Sequence, residues 1–191
     1  MGNAARAAGK ITAIFALAIA VFAGSASAQC IDPMQTPLQT GVSQFTQTRH
    51  LQGVRAPLVS RGQANVTRER VEWRVSDPIE VLTTITPQGV TQSVDGGAPQ
   101  RLGPQSGGGD PFLSSTGLFD LLTGDFAALR THYDVATLPG GGGGAWRLAF
   151  TPKSATLARY ISRIEVAGCT RVAHVSVNQA NGDRMDIDWA S

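Results

Sequence analysis

The chain has 191 residues, a formal net charge of +2 and only two cysteines. Arg6 and Lys10 are the only charged residues before Asp32, so the chain without its first 28 residues has 163 residues, 14 basic and 14 acidic. This balance argues against a nucleic-acid partner, because nucleic-acid binders usually carry a basic surface. It also argues against docking on anionic lipid, which needs clustered lysine or arginine.

The first 28 residues are predicted to be a signal peptide. Arg6 and Lys10 precede a 13-residue apolar run at 11–23, and Ala26-Ser27-Ala28 has the small-x-small pattern of a cleavage site. The apolar run is shorter than the roughly 20 residues of a membrane span, which disfavours the alternative of an uncleaved anchor. We therefore predict cleavage after Ala28, export to the periplasm, and a single domain with one core over residues 29–191.

Cys30 and Cys169 are predicted to form a disulfide, because an even count in an exported chain is typical of paired cysteines. Two unrelated buried thiols are the alternative. Lipid attachment at Cys30 is disfavoured, because Gln29 stands where that processing needs a small residue.

The first half of the chain is predicted to begin with a helix at 34–49, where Leu38, Val42 and Phe45 recur at helical spacing. The apolar period then changes to two and predicts strands at 58–67, 71–75, 79–86 and 90–94, which short turns join into an antiparallel meander. The predicted inward face of the middle two strands consists of Val71, Trp73, Val75, Ile79, Val81 and Ile85.

The second half begins with a glycine-rich stretch at 103–110, which predicts a flexible tether. Residues 112–129 are rich in Phe and Leu, and Gly117 and Gly124 divide them into one or two short helices. Alternating residues then predict strands near 132–138, 146–150, 161–166, 171–177 and 185–189, with Asn181-Gly182 as a hairpin turn. In the strand at 171–177 the predicted face is Ala173, Val175 and Val177, and in the last strand it is Met185, Ile187 and Trp189.

The sequence contains no recognisable catalytic set. His50, His132 and His174 lie in separate segments without the spacing of metal ligands. There is no Gly-x-Ser-x-Gly nucleophile elbow, and the glycines at 140–144 lack the ending of a phosphate loop. We predict a protein that is not an enzyme and that uses no metal and no cofactor.

The architecture predicted from these elements is a curved antiparallel sheet of about ten strands whose apolar concave face is covered by the Phe/Leu-rich helices as a lid. An ordinary closed core is the alternative to a cavity. The residues predicted to line an apolar cavity are Val71, Trp73, Val75, Ile79, Val81, Ile85, Phe112, Leu118, Phe119, Leu122, Trp146, Leu148 and Phe150.

The ordered series of short motifs resembles the LolA-like periplasmic lipoprotein carriers. The resemblance extends from Phe45 to Trp189. It rests on Phe45-Thr46-Gln47, Ser60-x-Gly62, Trp73, Asp77-Pro78, Pro152-Lys153, Ile164-x-Val166 and Asn181-Gly182-Asp183. The resemblance implies an unclosed β-barrel of eleven strands with a helical lid. It also implies a carrier that receives acylated cargo from an inner-membrane complex and delivers it to an outer-membrane acceptor.

Two departures from the family pattern affect which properties of the family are expected of this chain. The family holds its lid with an arginine beside a proline ahead of the strand tryptophan, whereas here Thr67-Arg68-Glu69-Arg70 has no proline. Arg68 is the nearer match for the arginine that holds the lid. Two alternatives stay open: Arg68 is simply solvated, or Arg70 holds the lid instead. The chain also stops at Ser191 without the further terminal segment of the principal carriers. The implied cargo is therefore an acylated lipoprotein or a glycolipid, and the partners are a lipid exporter and an outer-membrane acceptor.

We expect a monomer that binds lipid acyl chains and carries them between the two membranes. The alternative, from another class of function, is a non-catalytic envelope sensor or structural domain that binds a protein partner on the same scaffold.

Overall fold

The structure is a computed structural model that describes residues 30–35, 39–102, 117–140 and 144–190. The predicted signal peptide, its cleavage site, the stretch at 103–110 and Phe112 lie outside these ranges. No helix within the described ranges is both long and apolar enough to cross a membrane.

The described chain folds into one antiparallel sheet of eleven strands. In chain order the strands are β1 (Gly41–His50), β2 (Leu58–Val66), β3 (Val71–Asp77), β4 (Val81–Thr86), β5 (Gly89–Val94), β6 (Gln100–Leu102), β7 (Tyr133–Leu138), β8 (Trp146–Pro152), β9 (Ile161–Gly168), β10 (Val172–Gln179) and β11 (Arg184–Trp189). Their order in the sheet is β6-β5-β4-β3-β2-β1-β11-β10-β9-β8-β7, so β6 and β7 are the two edges. This arrangement confirms the predicted unclosed antiparallel β-barrel.

The sheet consists of two meanders that meet at its centre. Strands β1 to β6 follow one another in one half, and β7 to β11 do so in the other. Pairing of β1 with β11, from Phe45 opposite Trp189 to His50 opposite Arg184, joins the halves. Three short helices, α1 (Leu118–Thr123), α2 (Phe126–Leu129) and α3 (Ala155–Ala158), accompany the sheet. The first two lie in the connection between the edge strands, where the lid was predicted.

The helix predicted at 34–49 is wrong, because Gly41–His50 is a strand in the middle of the sheet. It pairs with β2 on one side and β11 on the other, so hydrogen bonds between strands replace those of a helix. Val42 and Phe45 lie on opposite faces of this strand, and the helical stripe is accidental: Phe45 is 3% exposed, whereas Val42 is 64% exposed. Of the segment before Gly41, only Pro33–Gln35 forms a 3₁₀ turn within the described residues.

Ile79 was predicted to face inward and does not. Strand β4 begins at Val81, opposite Val75 of β3, and Ile79 lies in the turn between the two strands with 55% of its surface exposed. The alternation of β4 therefore does not reach Ile79. A register irregularity between Val172 and His174 similarly leaves Ala173 exposed, and Val172 takes the buried position instead.

The central aromatic cluster lies beside a close approach of the β2 and β3 backbones at Gly62. The rings of Phe45 and Trp73 stack with centroids 3.9 Å apart, and the Trp189 ring meets both edge-on at 6.0 and 5.5 Å. Gly62 is paired with Phe45 on β1, and a Cβ on Gly62 would lie 1.9 Å from the Arg74 carbonyl oxygen. No side chain fits at this position without displacing β3.

The predicted disulfide between Cys30 and Cys169 is present and spans 139 positions of the sequence. It attaches residues 30–35 and 39, which we name the N-terminal strap, to the turn between β9 and β10. The backbone N–H of Ile31 donates to the Cys169 carbonyl, and the Trp146 indole N–H donates to the same oxygen at 2.7 Å. At its other end the strap meets α1, because the Gln39 N–H donates to the Thr123 carbonyl at 2.8 Å.

Candidate functional site

An apolar cavity of about 150 Å³ lies between the concave face of the sheet and helix α1. Its wall is mostly hydrocarbon, with two uncharged polar side chains and no charged one. The lining residues are Gln47, Trp73, Thr83, Ile85, Leu122, Met185 and Ile187. Such a cavity favours an uncharged apolar guest.

Strand register brings six of these residues together from four strands, β1, β3, β4 and β11. Trp73 is opposite Thr83 on β4, and Gln47 is opposite Ile187 on β11. Side chains alternate between the two faces of a strand, so residues two apart share the concave face. The cavity therefore spans the junction of the two meanders, where β1 meets β11.

Helix α1 covers the cavity through one side of its short length. Leu122 lines the cavity, while Leu121 is 6% exposed and belongs to the core. Both ends of α1 are glycines in the left-handed region, Gly117 at φ 63° and Gly124 at φ 79°. Glycine adopts this and other backbone conformations without steric cost, so the backbone at each end of α1 can change its dihedral angles easily.

Helix α2, by contrast, is fixed to the sheet. Phe126 is 1% exposed and Leu129 is fully buried. The Phe126 ring lies against Trp146 and Phe150, with centroids 5.9 and 5.7 Å apart. The Asp125 carboxylate caps the helix by accepting from the Ala128 N–H at 2.9 Å. The lid therefore has a fixed part, α2, and a part that faces the cavity, α1.

A second cavity, of about 20 Å³, lies on the other side of Leu122. It borders Gln39, whose buried side-chain amide nitrogen has no hydrogen-bond partner among the described residues. A cavity of this size accommodates one water molecule when polar groups line it. Leu122 lines both cavities and thus stands between the smaller space and the larger apolar one.

The structure brings some of the predicted cavity residues together and places others elsewhere. Trp73, Ile85 and Leu122 line the cavity. Val75 and Val81 are half-buried on the same face of the sheet, and Phe119 packs on the core. Buried core positions are taken by Val71, Trp146, Leu148 and Phe150. Ile79 lies outside the site, Phe112 is outside the described residues, and nothing is described of the Leu118 side chain.

Four lining residues were not predicted: Gln47, Thr83, Met185 and Ile187. Gln47 lay in the segment wrongly predicted as a helix. Met185 and Ile187 were predicted to share a face, and that pattern is the signal that was available. Their position at the cavity depends on the pairing of β11 with β1, which alternation alone does not specify.

Arg68, the predicted latch, lies exposed in the turn between β2 and β3. Within the described ranges its side chain makes no hydrogen bond and no ion pair. Arg70 is paired with Glu72 at 3.0 Å, on a partly exposed surface. The latch role of Arg68 stays a prediction.

The lid contains one perturbed carboxyl group. Burial raises the pKa of Asp120 above its ordinary value, the negative charge of Asp125 raises it further, and His132 lowers it. Ionised Asp120 is therefore unfavourable where it stands on α1. Burial also raises the pKa of Tyr133, whose ring lies against Phe150, so its hydroxyl stays neutral.

Two of the three histidines, His50 and His174, lie on the convex face, away from the cavity. Nε2 of His50 is 3.3 Å from an Asp186 carboxylate oxygen, and Nδ1 of His174 is 2.7 Å from one of Asp188. Asp186 and Asp188 alternate with the cavity residues of β11, which places them on the convex face. Among the described residues no group of three His, Cys, Asp or Glu is arranged to hold a metal ion.

No protein-family model and no curated protein matches this sequence. Among solved structures, the chain is similar to a LolA superfamily protein from Nitrosomonas europaea, with 10% identity, a TM-score of 0.44 and coverage of 86% of this chain and 89% of that one. A DUF1329 family protein from Desulfovibrio piger has 13% identity, a TM-score of 0.39 and coverage of 81% and 85%. A domain assigned to outer membrane lipoprotein sorting, from Vibrio parahaemolyticus, has 11% identity, a TM-score of 0.41 and coverage of 83% and 87%. No functional residue is assigned from these likenesses.

Proposed function

We propose that the mature protein is a non-catalytic periplasmic carrier that shields acyl chains of lipoproteins or glycolipids in transit between the inner and outer membranes. The observation that carries this proposal is the apolar cavity of about 150 Å³ beneath Leu122. The LolA-like motif series in the sequence supports the same function. An inner-membrane lipid exporter would be the donor and an outer-membrane protein the acceptor, with the carrier acting as a monomer.

The size of the cavity determines what the lid must do. A dry apolar cavity of about 150 Å³ holds a molecule about as large as benzene, so it holds only part of an acyl chain. Each further buried methylene contributes about 0.8 kcal/mol, which favours enlargement of the site. We therefore propose that α1 moves away from the sheet on binding, turning at Gly117 and Gly124, while α2 stays in place.

Cavity filling tests the proposed site. Thr83→Phe places a phenyl ring in the cavity, and Thr84→Phe places the same ring on the opposite face of the same strand. We expect Thr83→Phe to weaken binding of a fluorescent fatty acid at least tenfold, and Thr84→Phe to bind as the wild type does. Unfolding by urea checks that both variants are folded. Equal binding by the two variants would exclude this cavity as the lipid site.

Crosslinking tests the proposed movement of α1. Leu122→Cys and Met185→Cys, both at the cavity, are joined by a short bis-maleimide, which does not react with the native disulfide. We expect the crosslinked protein to lose fatty-acid uptake, whereas the same double variant treated with N-ethylmaleimide retains it. Uptake by the crosslinked form would show that α1 is ordinary core.

Native mass spectrometry of protein purified from the periplasm separates this function from the alternative. A carrier is expected to retain lipid that denaturation releases. Protein that carries no lipid and binds no fatty acid, in the wild type as in Thr83→Phe, would favour the sensor or structural domain.

A further inference from the structure

Part of one rim of the barrel is strongly basic although the mature chain is neutral. This part runs from β2 to β7 and consists of residues 49–58, 130–132, 153–160 and 180–184, which form the ends and turns of these strands; we name it the basic rim. The rest of the same rim, at the β3–β4 and β5–β6 turns, carries Asp77, Glu80 and Asp95, of which Asp77 is paired with Arg61 and Glu80 with Arg74. The basic rim contains six basic residues and one acid, a net charge of +5: Arg49, Arg55, Arg130, Lys153, Arg159, Arg184 and Asp183. The other 8 basic and 13 acidic residues of the mature chain give −5.

Hydrogen bonds between the four segments of the basic rim hold them side by side. The Gln52 N–H donates to the Asp183 carboxylate at 2.8 Å, so the β1–β2 loop touches the β10–β11 turn. In that turn the N–H of Ala180 donates to the carbonyl of Tyr160. The Lys153 ammonium donates to the Arg130 carbonyl at 2.7 Å, which adds the segment after α2. Arginines that are far apart in the sequence therefore share one rim.

Most of the positive charge on this rim is not neutralised by the protein. Arg49, Arg55, Arg130 and Arg159 are exposed, and their side chains form no hydrogen bond or ion pair with any residue the structure describes. Arg184 is paired with Asp186 at 2.9 Å and lies farther toward the convex face. Four guanidinium groups are thus available to an outside partner, and guanidinium binds phosphate oxygens in a bidentate manner.

Apolar side chains protrude among these arginines. Val54 and Leu58 are each 52% exposed, and Tyr160 is 53% exposed. They stand on separate turns rather than forming one packed patch. Short apolar and aromatic side chains interspersed with arginine are typical of a surface that lies at the boundary between lipid headgroups and acyl chains.

The basic rim adjoins one end of the cavity. Gln47 and Ile187 line the cavity and are paired, and the next concave-facing pair along the two strands is Arg49 with Met185. Met185 still lines the cavity, whereas Arg49 is exposed. Leu58, the partner of Arg49 on β2, lies on the other side of it. An acyl chain entering here would leave its headgroup among the arginines.

We propose that the basic rim docks this protein on an anionic bilayer surface, with the arginines on lipid phosphates and Val54, Leu58 and Tyr160 at the headgroup boundary. The charge complementarity of a +5 rim on a chain of no net charge carries this inference. It revises the argument from net charge, which excluded such docking because it averaged two oppositely charged parts of the molecule. Docking does not require bound cargo, so it stands apart from the carrier function.

Vesicle sedimentation of the mature chain tests the proposal. The vesicles are an equal mixture of phosphatidylglycerol and phosphatidylcholine, or phosphatidylcholine alone, at low salt. The wild type is expected to sediment with the first and not with the second. Each rim arginine removed is expected to weaken partitioning about fivefold, so Arg55→Gln/Arg159→Gln should lose about twenty-five-fold.

The matched control removes two positive charges from the opposite end of the barrel. Arg68→Gln/Arg101→Gln has the same net charge as the rim variant and is expected to bind vesicles as the wild type does. Fluorescence of a nitrobenzoxadiazole group on Val54→Cys should rise on anionic vesicles if the turn reaches the headgroup boundary. Thr83→Phe is expected to keep docking while losing fatty acid, which separates failure of this inference from failure of the carrier function.

Equal losses in the two double variants would show non-specific charge attraction and overturn the proposal. Equal sedimentation with both vesicle types would overturn it too, as would an absence of vesicle binding together with capture of an acidic periplasmic protein. That last result would assign the basic rim to a protein partner.

Discussion

Removal of the Cys30–Cys169 disulfide gives the sharpest test of how this fold is stabilised. The bond joins the N-terminal strap to the turn between β9 and β10, and the residues around it already contact one another. The Cys169 carbonyl accepts from the Ile31 N–H and from the Trp146 indole. Replacing both cysteines by serine therefore leaves the native contacts of the strap in place, and the main change is in the unfolded chain.

The size of the effect follows from the 139 positions that the bond spans. In the chain-entropy relation, closure of a loop this long removes about 17 cal/mol/K from the unfolded chain, or about 5 kcal/mol at 25 °C. Whole domains are stabilised by only about 5–15 kcal/mol, so the loss is a large part of the total. The double variant is expected to be folded only marginally at 37 °C.

Urea unfolding of the wild type and of Cys30→Ser/Cys169→Ser measures the difference. We expect the midpoint to fall by an amount equivalent to about 3–5 kcal/mol, with unchanged tryptophan emission from the native state because the Trp146 hydrogen bond persists. Wild type reduced and alkylated at its cysteines should behave as the double variant does. A loss below about 1 kcal/mol would refute the reasoning, since it would mean that the unfolded chain keeps its ends together without the bond.

Three further outcomes are expected. Gly62→Ala should lower the free energy of unfolding by about 3 kcal/mol or prevent folding, because the new methyl group meets the Arg74 carbonyl; a change below 0.5 kcal/mol in urea unfolding would contradict the packing described. Asp120→Asn should be more stable than the wild type at pH 7 and lose that advantage in acid. The pKa of Asp120 is higher in the folded protein than in the unfolded chain, so protonated Asp120 favours folding. The wild type therefore loses stability as pH rises from about 4, the ordinary pKa of Asp, through the folded pKa. Parallel pH dependence of the two proteins would argue against this. Val81→Asp should weaken fatty-acid binding, because it places an unpaired charge at an apolar site. Val59→Asp, on the convex face, should leave binding unchanged and change the free energy of unfolding by no more than about 0.5 kcal/mol. Similar binding by both variants would show that the assignment of faces is wrong.

The sequence predicted best where a single local pattern dominates. Strict alternation gave strands β2 to β5 and β8, and Gly117 and Gly124 marked the ends of α1 as the structure has them. The helix at 34–49 was wrong because three apolar residues happened to fall at helical spacing in a strand. A strand paired on both sides depends on distant partners for its hydrogen bonds, and no local signal reports them.

The cavity was predicted in part for the same reason. Trp73, Ile85 and Leu122 were identified from alternation and from the unusual apolar content of the lid. Gln47 and Met185 complete the wall only because β1 and β11 are neighbours, which is a property of the register between strands about 140 positions apart. The basic rim was not predicted from the sequence. Its arginines come together only through the turns of the fold, and net charge gives no information about where the charges lie.

The pairing of β1 with β11 has a consequence for how the polypeptide reaches its native state. Each half of the sheet can form from neighbouring hairpins, whose contacts are close in sequence, but the seam at the centre needs the first and last strands together. Contacts between residues this far apart in the sequence form slowly, because the entropy of closing the loop is lost before the contacts contribute stabilising free energy. During synthesis the N-terminal half is complete while one side of β1 is still unpaired, and this open edge can pair with other chains until β11 is available. The polypeptide is therefore most exposed to aggregation in the interval before its last strand is available.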